Sequence, residues 1–322
     1  MDESDVRVRP GRRGSRPRTK RRPEHADAVP AMVVGVDRGR WTCAVHGDPG
    51  RRVTAMRARE LGRTPVVVGD RVGLVGDIHG APDALARIVR VDERSSVLRR
   101  TADDTDPYER IVVANAEQLL IVASLADPPP RTGLIDRCLV AGYAGGLTPV
   151  LCLTKRDLAA PDAVLERYAA LDLPVLITSP ATGVDEVRAQ LAGRVSVLVG
   201  HSGVGKSTLV NRLVPAANRL TGVVSVVGKG RHTSTSAVAL ALPGGGWVID
   251  TPGLRSFGLA HVTPDHVARA FGDLAQAIEN CPRGCTHLGP PADPECALDE
   301  LGGAAHRRAM SVRALLTTLT HS

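Results

Sequence analysis

The stretch from Val195 to Leu209 constrains the fold of this chain more than any other, because it reads as a buried strand, a glycine-rich loop and a helix. It contains the Walker A pattern G-x-x-x-x-G-K-[ST], filled by Gly200, Gly205, Lys206 and Ser207. The glycines let successive backbone N–H groups point at phosphates, and the helix N-terminus adds to the attraction. We expect the lysine to reach the β- and γ-phosphates and the serine to bind Mg²⁺. The alternative is a chance glycine-rich turn.

Strands and helices are predicted to alternate through the middle of the chain. Strands are predicted at LLIVASL from Leu119, TPVLCL from Thr148 and PVLITS from Pro174, and helices over 133–144, 162–171 and 184–191. This alternation favours a parallel sheet with crossover helices. Ligands of such sheets bind beyond the carboxyl ends of the strands, and the polar motifs of this chain follow those ends.

The segment after TPVLCL is a variant of N-K-x-D, the element with which GTPases read guanine. It consists of Thr154, Lys155, Arg156 and Asp157. A carboxylate can accept from both guanine N1–H and the 2-amino group, an arrangement that adenine cannot satisfy. Thr154 stands where the motif has Asn, and its hydroxyl keeps one hydrogen bond where an amide gives more. We therefore expect a weaker tether to the phosphate loop.

The segment after PVLITS lies where GTPases carry S-A-[KLT], whose backbone N–H contacts guanine O6. It begins at Ser179, and Pro180 replaces the usual Ala. Because proline has no N–H, any such contact must come from Ser179 or Ala181.

Two further segments fit a bound nucleotide and its metal ion. Asp250 ends a predicted strand and begins D-T-P-G; it is placed to hold Mg²⁺, and the Gly253 N–H to sense the γ-phosphate. A Pro-Gly turn after an edge strand is the alternative. The glycine-rich segment 228–235 is a candidate switch loop that nucleotide and Mg²⁺ would order.

The order of these motifs indicates a circular permutation. The guanine-reading segments precede the phosphate loop, whereas an ordinary GTPase has them after it. Cutting the fold at this point attaches whatever follows D-T-P-G to a segment that moves on hydrolysis.

A cysteine and histidine cluster follows. Cys281, Cys285, His287 and Cys296 supply thiolates and an imidazole that suit one structural Zn²⁺. Disulfides or free thiols are the alternative. Helices are predicted on either side, over 264–278 and 299–319. The remaining cysteines, Cys43, Cys138 and Cys152, lie in apolar stretches and are interpreted as small core residues.

The N-terminal part of the chain is basic. Short strand patterns with turns between them, over 31–92, predict a small antiparallel barrel, of which the OB type is one possibility. Its arginines fit a nucleic-acid-binding face or a solvated surface. Residues 1–30 read as a disordered basic arm, which either contacts RNA phosphates or has no dedicated partner. A net charge of +7 favours a polyanionic partner, and without a signal peptide or spanning segment we expect a soluble cytoplasmic protein with no membrane partner.

The barrel, the permuted motifs with G-x-S-G-V-G-K-S-T, G-R-H-T-x-T and D-T-P-G, and the Cys-Cys-His-Cys cluster together resemble the RsgA family of ribosome small-subunit-dependent GTPases. The resemblance covers the chain from about Ala31 onward. It implies a GTPase that acts late in small-subunit maturation, is stimulated by the subunit, and contacts rRNA through the barrel and the zinc domain.

The resemblance also implies site residues. The expected GTP-binding residues are Thr154, Lys155, Arg156, Asp157, Ser179, Gly200, His201, Ser202, Gly203, Val204, Gly205, Lys206, Ser207, Thr208, Asp250 and Gly253, and the zinc ligands are Cys281, Cys285, His287 and Cys296. With Leu254 where Ras-like enzymes have a water-orienting Gln, His232 is the expected water-positioning residue, beside catalytic Lys206. Ser207, Asp250 and Ser234 are expected at Mg²⁺, with Thr235 a rival to Ser234.

The resulting expectation is a monomer of several domains: a basic arm over 1–30, an OB-like β-barrel over 31–92, a circularly permuted α/β P-loop GTPase over 93–258, and a helical zinc-binding domain over 259–322. Two other functions remain open, namely a P-loop ATPase or kinase with an incidental T-K-R-D, and an RNA-binding module with a vestigial nucleotide site.

Overall fold

A computed structural model describes residues 25–81, 84–100, 110–215, 237–251, 259 and 261–320. Most of the predicted basic arm, residues 1–24, lies outside the described residues.

The first five strands form a closed barrel. They are β1 (Val29–Asp37), β2 (Arg40–Val45), β3 (Asp48–Arg57), β4 (Arg71–Gly76) and β5 (Ala86–Val91). They pair in the order 1-2-3-5-4, and β4 pairs back with β1, so that no edge is left open. All these pairs are antiparallel except β3 with β5, which is parallel. Alternate side chains such as Val33, Cys43 and Val53 fill the interior. The predicted OB-like barrel is confirmed.

The charged segment over 92–110, between the barrel and the first strand predicted for the central sheet, leads into two further strands. β6 (Val97–Arg100) pairs with β7 (Arg110–Ala114). The two strands bury Leu98 and Val113, and Arg99, Arg100 and Arg110 interrupt the apolar pattern of these strands in the sequence. An ion pair ties the start of the segment to the barrel, since Arg94 donates to both carboxylate oxygens of Asp70, from Nε at 2.7 Å and from Nη2 at 2.9 Å.

The central sheet contains the predicted strands and one more, β12. Its strands are β8 (Gln118–Ser124), β9 (Thr148–Thr154), β10 (Val175–Ile177), β11 (Val195–Val199), β12 (Val238–Ala241) and β13 (Trp247–Asp250). Their order is 10-9-8-11-13-12, and only the β12–β13 pair is antiparallel. The phosphate-loop strand β11 therefore lies inside the sheet. At its edge β12 pairs with β1 through Gly35 and Val238, which joins the barrel to the sheet.

Helices cover both faces of this sheet. They are α1 (Thr132–Ala144), α2 (Asp162–Tyr168), α3 (Val184–Leu191) and α4 (Lys206–Leu213). Side chains of α1 and α2 pack with one set of strand residues, whereas those of α3 and α4 pack with the alternate set. Successive residues of a strand point to opposite faces, so the apolar runs read in the sequence are those of strands buried on both sides.

The C-terminal helices pack on the α1 side of the sheet. They are α5 (Pro264–Ala268), α6 (Gly272–Ala277) and α7 (Gly303–Thr320). The single helix predicted over 264–278 is wrong, because the backbone is extended at Phe271, whose ring packs against Tyr143 with centroids 4.9 Å apart. The helix predicted over 299–319 begins later, at Gly303, after a short 3₁₀ turn, Ala297–Glu300.

Arg308 of α7 connects these helices to the central domain. Its guanidinium forms ion pairs with Asp273 of α6 and with Asp172, which follows α2. Among the described residues, no helix combines the length and the apolar character needed to cross a lipid bilayer.

Candidate nucleotide site and metal centre

The loop between β11 and α4 has the backbone that its glycines predict. A Cβ on Gly200 would lie 2.4 Å from the Val122 carbonyl oxygen, so only glycine fits beside β8. Gly205 has φ of +91° and immediately precedes α4, in a conformation that glycine adopts without strain. The loop thus leads into the N-terminus of α4 between the ends of two parallel strands.

Lys206 lies at the first turn of α4 and faces the end of β13. Its Nζ is 3.3 Å from Asp250 Oδ1 and donates to the Thr251 carbonyl at 3.1 Å. Thr251 is itself fixed, because its hydroxyl donates to the Leu198 carbonyl of β11 at 2.7 Å. The structure therefore brings together the Walker lysine and the first residue of D-T-P-G. Ser207 and Thr208 are exposed on α4, as are Ser202 and Gly203 in the loop.

Thr154 joins the guanine-reading segment to the phosphate loop. Its hydroxyl is buried at the end of β9 and donates to the Val204 carbonyl at 2.6 Å. The expected tether is thus present, and it is a single short hydrogen bond. Lys155 adopts a positive φ of 60° and its ammonium donates to the Asp127 carbonyl, after β8. Asp157 is exposed, as a base-reading carboxylate must be before it meets a ligand.

The Ser179 loop is organised by its own hydroxyl. Ser179 Oγ accepts from the N–H of Ala181 at 3.2 Å and from that of Thr182 at 3.1 Å, and the Ser179 N–H donates to the Thr182 carbonyl at 3.2 Å. Both backbone donors predicted for guanine O6 are therefore engaged within the loop. Arg212 of α4 donates to the Ser179 carbonyl at 2.8 Å, which ties this loop to the phosphate-loop helix.

Three predicted site residues lie outside the described residues. They are His232, Ser234 and Gly253. The same is true of Thr235, the rival of Ser234.

The four predicted metal ligands converge. The donor atoms of Cys281, Cys285, His287 and Cys296 all lie within 4.8 Å of one another. Three sulfurs and one imidazole nitrogen at this separation could hold one metal ion, and the residue types are those of a structural zinc site. Cys296 and His287 are buried, whereas the other two are half-buried.

The imidazole of His287 is oriented by a carboxylate that is not part of the Cys-Cys-His-Cys motif. Nε2 lies 2.9 Å from Asp265 Oδ1, and because a carboxylate accepts, Nε2 carries the proton. Nδ1 then faces the cluster, 3.6 Å from Cys281 Sγ. A carboxylate behind a ligating histidine fixes its tautomer and ring orientation.

Asp293 stabilises the loop that carries His287. Its carboxylate accepts from the backbone N–H groups of Thr286, at 3.0 Å, and Leu288, at 3.1 Å, and from the Thr286 hydroxyl. Burial raises the pKa of Asp293, but these hydrogen bonds lower it by more, so that the net pKa lies below its ordinary value. His287 itself has a φ of 60°, and this loop holds it there.

Arg313 of α7 lies against the same cluster. Its Nε donates to the His287 carbonyl at 3.0 Å and its Nη1 to Asp299 Oδ1 at 2.7 Å. The hydrogen bond to Asp299 raises the pKa of Arg313, against the opposite effect of burial, and Cys296 raises it further.

The other three cysteines are core residues, as predicted. Cys43, Cys138 and Cys152 are buried in three different places. Burial raises the pKa of Cys43 and of Cys152 to about 12, and that of Cys138 also lies well above its usual range.

Sequence reasoning missed Arg212, Asp265 and Arg313. Each contacts a predicted site residue from a distant position in the chain, and nothing in its local sequence marks the contact. The two arginines do share one signal: each is a charged residue at a helix position flanked by apolar residues at helical spacing, in α4 and in α7.

Comparison with known proteins agrees with these motifs. A family model described as RsgA GTPase matches residues 91–260. A protein of Chlorobaculum tepidum named small ribosomal subunit biogenesis GTPase RsgA is 36% identical over 280 residues, which cover 84% of this chain and 90% of that protein. A protein of the same name from Chromohalobacter salexigens is 39% identical over 262 residues, covering 79% and 73%.

Solved structures agree on the fold. The crystal structure of YjeQ from Thermotoga maritima superposes with a TM-score of 0.62 at 25% identity, covering 90% of this chain and 98% of that one. YloQ, described as a circularly permuted GTPase, gives a TM-score of 0.62 at 21% identity, with coverages of 91% and 96%. The three-part fold, the permuted order of the motifs and the similarity over most of the chain lead to one conclusion: this protein belongs to the RsgA GTPase family.

Proposed function

We propose that this protein binds GTP with Mg²⁺, hydrolyses it to GDP and phosphate, and acts in the late maturation of the small ribosomal subunit, which stimulates the hydrolysis. The observation that carries the nucleotide part is the hydrogen bond from Thr154 Oγ1 to the Val204 carbonyl. It fixes the guanine-reading segment against the phosphate loop, so both ends of one nucleotide can be bound at once. The names of the relatives support the part that concerns the subunit.

The described residues divide the work on the nucleotide. The loop from Gly200 to Thr208 cradles the phosphates, and Lys206 moves from Asp250 to the phosphate oxygens that it neutralises. Asp157 reads the guanine edge, with Lys155 beneath the base. Mg²⁺ supplies charge neutralisation at the phosphates, and Ser207 and Asp250 are the described residues that fit it, because both offer oxygen beside Lys206.

Residues outside the described ranges complete the proposal. Ser234 supplies a further oxygen to Mg²⁺, the Gly253 N–H senses the γ-phosphate, and His232 positions the attacking water. With Leu254 at the place of the water-orienting Gln, we expect slow turnover by the isolated protein and stimulation of about 10³-fold or more by the subunit.

The proposal assigns one structural Zn²⁺ to the cysteine and histidine cluster. The donor set supports it, as does the orientation of His287 by Asp265. Zinc supplies a cross-link there and takes no part in the hydrolysis. We also propose that the domains follow the boundaries 31–92, 93–258 and 259–322.

The proposed partner is the small subunit with its rRNA, bound by a monomer in the cytoplasm. Exposed arginines on the barrel support a contact with phosphates. They include Arg38, Arg40, Arg57, Arg59 and Arg63.

The test is hydrolysis of GTP and ATP by the purified protein, with and without small ribosomal subunits, beside Lys206→Ala. We expect turnover that is selective for GTP, rises with subunits and is lost in the variant. A preference for ATP would favour a P-loop ATPase or kinase. RNA binding that changes neither on addition of nucleotide nor in the Lys206→Ala variant would favour an RNA-binding module with a vestigial nucleotide site. Equal rates with and without subunits would refute the proposed stimulation.

A further inference from the structure

Arg313 is a buried charge whose place in the fold calls for an explanation. It lies in the middle of α7 with only 9% of its surface exposed. Burying a guanidinium costs on the order of several kcal/mol unless hydrogen bonds and opposite charge compensate. A leucine or methionine at this helix position would pack without that cost, so a role for the charge is the explanation to test.

The guanidinium is held in one orientation against the metal-binding segment. Nε donates to the carbonyl of His287, a metal ligand, and Nη1 donates to Asp299, which follows the ligand Cys296. The guanidinium also packs closely on Gly289, where a Cβ would lie 2.7 Å from Arg313 Cζ and would displace it, and the positive φ of +76° at this position favours glycine. The arginine thus bridges the segments that carry two of the four ligands.

One donor atom remains without a partner. Nη2 of Arg313 is buried and donates no hydrogen bond to any residue that the structure describes. The guanidinium also makes a side-chain hydrogen bond to the thiol of Cys296 and is attracted by its charge. A buried guanidinium that contacts one thiol of the cluster and keeps one donor atom unpaired is suited to negative charge on those thiols.

The charge of the metal centre supplies it. Three thiolates and a neutral imidazole around Zn²⁺ leave a net charge of −1 by simple addition of the charges of the donor set. The acidic neighbours Asp265, Asp293 and Asp299, the last of which is the ion partner of Arg313, make the surroundings more negative still. A buried arginine beside the cluster offsets this charge.

We propose that Arg313 is a positioning and charge-balancing residue of the metal centre, which holds the His287 backbone and offsets the net negative charge of the three thiolates when zinc is bound. This inference rests on the proposed zinc site. It predicts that zinc retention depends on α7, although α7 contributes no ligand.

The experiment measures zinc affinity of the full-length protein by competition with a chromogenic chelator. Arg313→Lys and Arg313→Gln form a matched pair, because both shorten the side chain and only the first keeps its charge. Arg308→Gln is the position control, since it removes a guanidinium from the same helix that pairs with Asp172 and Asp273, away from the cluster.

We expect R313Q to bind zinc about 10- to 100-fold more weakly than wild type, R313K to lie between the two, and R308Q to match wild type. Alkylation of the zinc-loaded protein by iodoacetamide gives a second readout. Losing the positive charge makes the bound thiolates more nucleophilic, so R313Q reacts faster and R313K does not.

Equal zinc affinity in R313K and R313Q would overturn the role of charge. If R308Q lost as much zinc affinity as R313Q, the effect would be a general loosening of α7 and the proposal would fail. If R313Q does not fold, R313K decides: weaker zinc binding with unchanged alkylation supports the proposal, and wild-type affinity overturns it. A wild-type protein that binds no zinc would instead refute the metal site itself.

Discussion

At the scale of single residues, Thr154 shows how a departure from a motif can keep a contact between that motif and the phosphate loop. Its hydroxyl makes the link to Val204 for which other GTPases use an amide. The residue type alone indicates that one hydrogen bond is possible, whereas its acceptor follows only from the way β9 ends beside the phosphate loop.

Replacing Thr154 by Val should weaken GTP binding. The change keeps the shape and leaves the buried Val204 carbonyl without its donor, which costs about 1–2 kcal/mol. The dissociation constant of a fluorescent GTP analogue should therefore rise about tenfold. Thr154→Ser keeps the hydroxyl and is the control. Equal affinity in the Val variant would show that the link does not support the nucleotide site.

Replacing Asp157 by Asn should change the preferred base. The carboxylate accepts two hydrogen bonds from guanine, whereas an amide can donate to the 2-oxo group of xanthine. We expect GTP affinity to fall by about 100-fold and XTP to become the better ligand. Competition of GTP, XTP and ATP for the fluorescent nucleotide checks this. A variant that still prefers GTP would remove Asp157 from the base-reading role.

The sequence predicts the residues that make up the motifs, but not the residues that contact and orient them. Lys206, Asp250 and the four metal ligands are recognisable because their chemistry requires particular residue types at particular spacings. Arg212 and Asp265 are not, because their contacts form only after segments far apart in the chain have packed together.

At the scale of elements, the largest departures from expectation are in the C-terminal part. Periodicity predicts helices over 264–278 and 299–319, but the structure ends one at Ala268 and starts another at Gly303. Between them the chain turns to bury Phe271 and to bring the four ligands together. Tertiary packing and ligand geometry decide these breaks, and neither is visible in a helical pattern.

Removing the metal should loosen this part and expose a defined set of thiols. With zinc bound, a maleimide at neutral pH should find no fast-reacting cysteine; after chelation, Cys281, Cys285 and Cys296 should react. Cys43, Cys138 and Cys152 should stay protected, because they are buried inside the barrel and against the central sheet, where chelation removes no ligand. Mass spectrometry of the labelled protein counts the thiols.

The thermal midpoint should fall in the same chelated sample, since metal binding contributes to folding. Reloading with zinc is the control and should restore both the midpoint and the protection. Labelling that is the same before and after chelation would contradict a metal cross-link.

At the scale of the whole molecule, the three parts are predictable from the sequence but their connections are not. The barrel, the permuted sheet and the ligand cluster each leave a local pattern. The ion pair of Asp70 with Arg94 joins the barrel to the segment before β6, and Asp70 is fully buried. Asp70 lies in an apolar stretch and Arg94 in a charged one, and neither local sequence indicates this pair.

Replacing Asp70 by Ala should destabilise the protein. The change removes the carboxylate partner of the Arg94 guanidinium and the acceptor of the Val67 N–H. We therefore expect the free energy of unfolding to fall by about 3–5 kcal/mol. Urea denaturation followed by circular dichroism measures the change. Asp92→Asn breaks an exposed ion pair with Arg90 and should cost less than about 1 kcal/mol. If the two variants lost similar free energy of unfolding, the ion pair of Asp70 with Arg94 would have no special role in stability.

The bridge between Gly35 and Val238 has a mechanical consequence. Strand β12 hydrogen-bonds to the barrel on one side and to β13, which leads to Asp250, on the other. It also begins directly after the segment that contains the predicted switch. Any rotation of the barrel against the central sheet must therefore either break this bridge or carry with it the strand into which the switch segment leads.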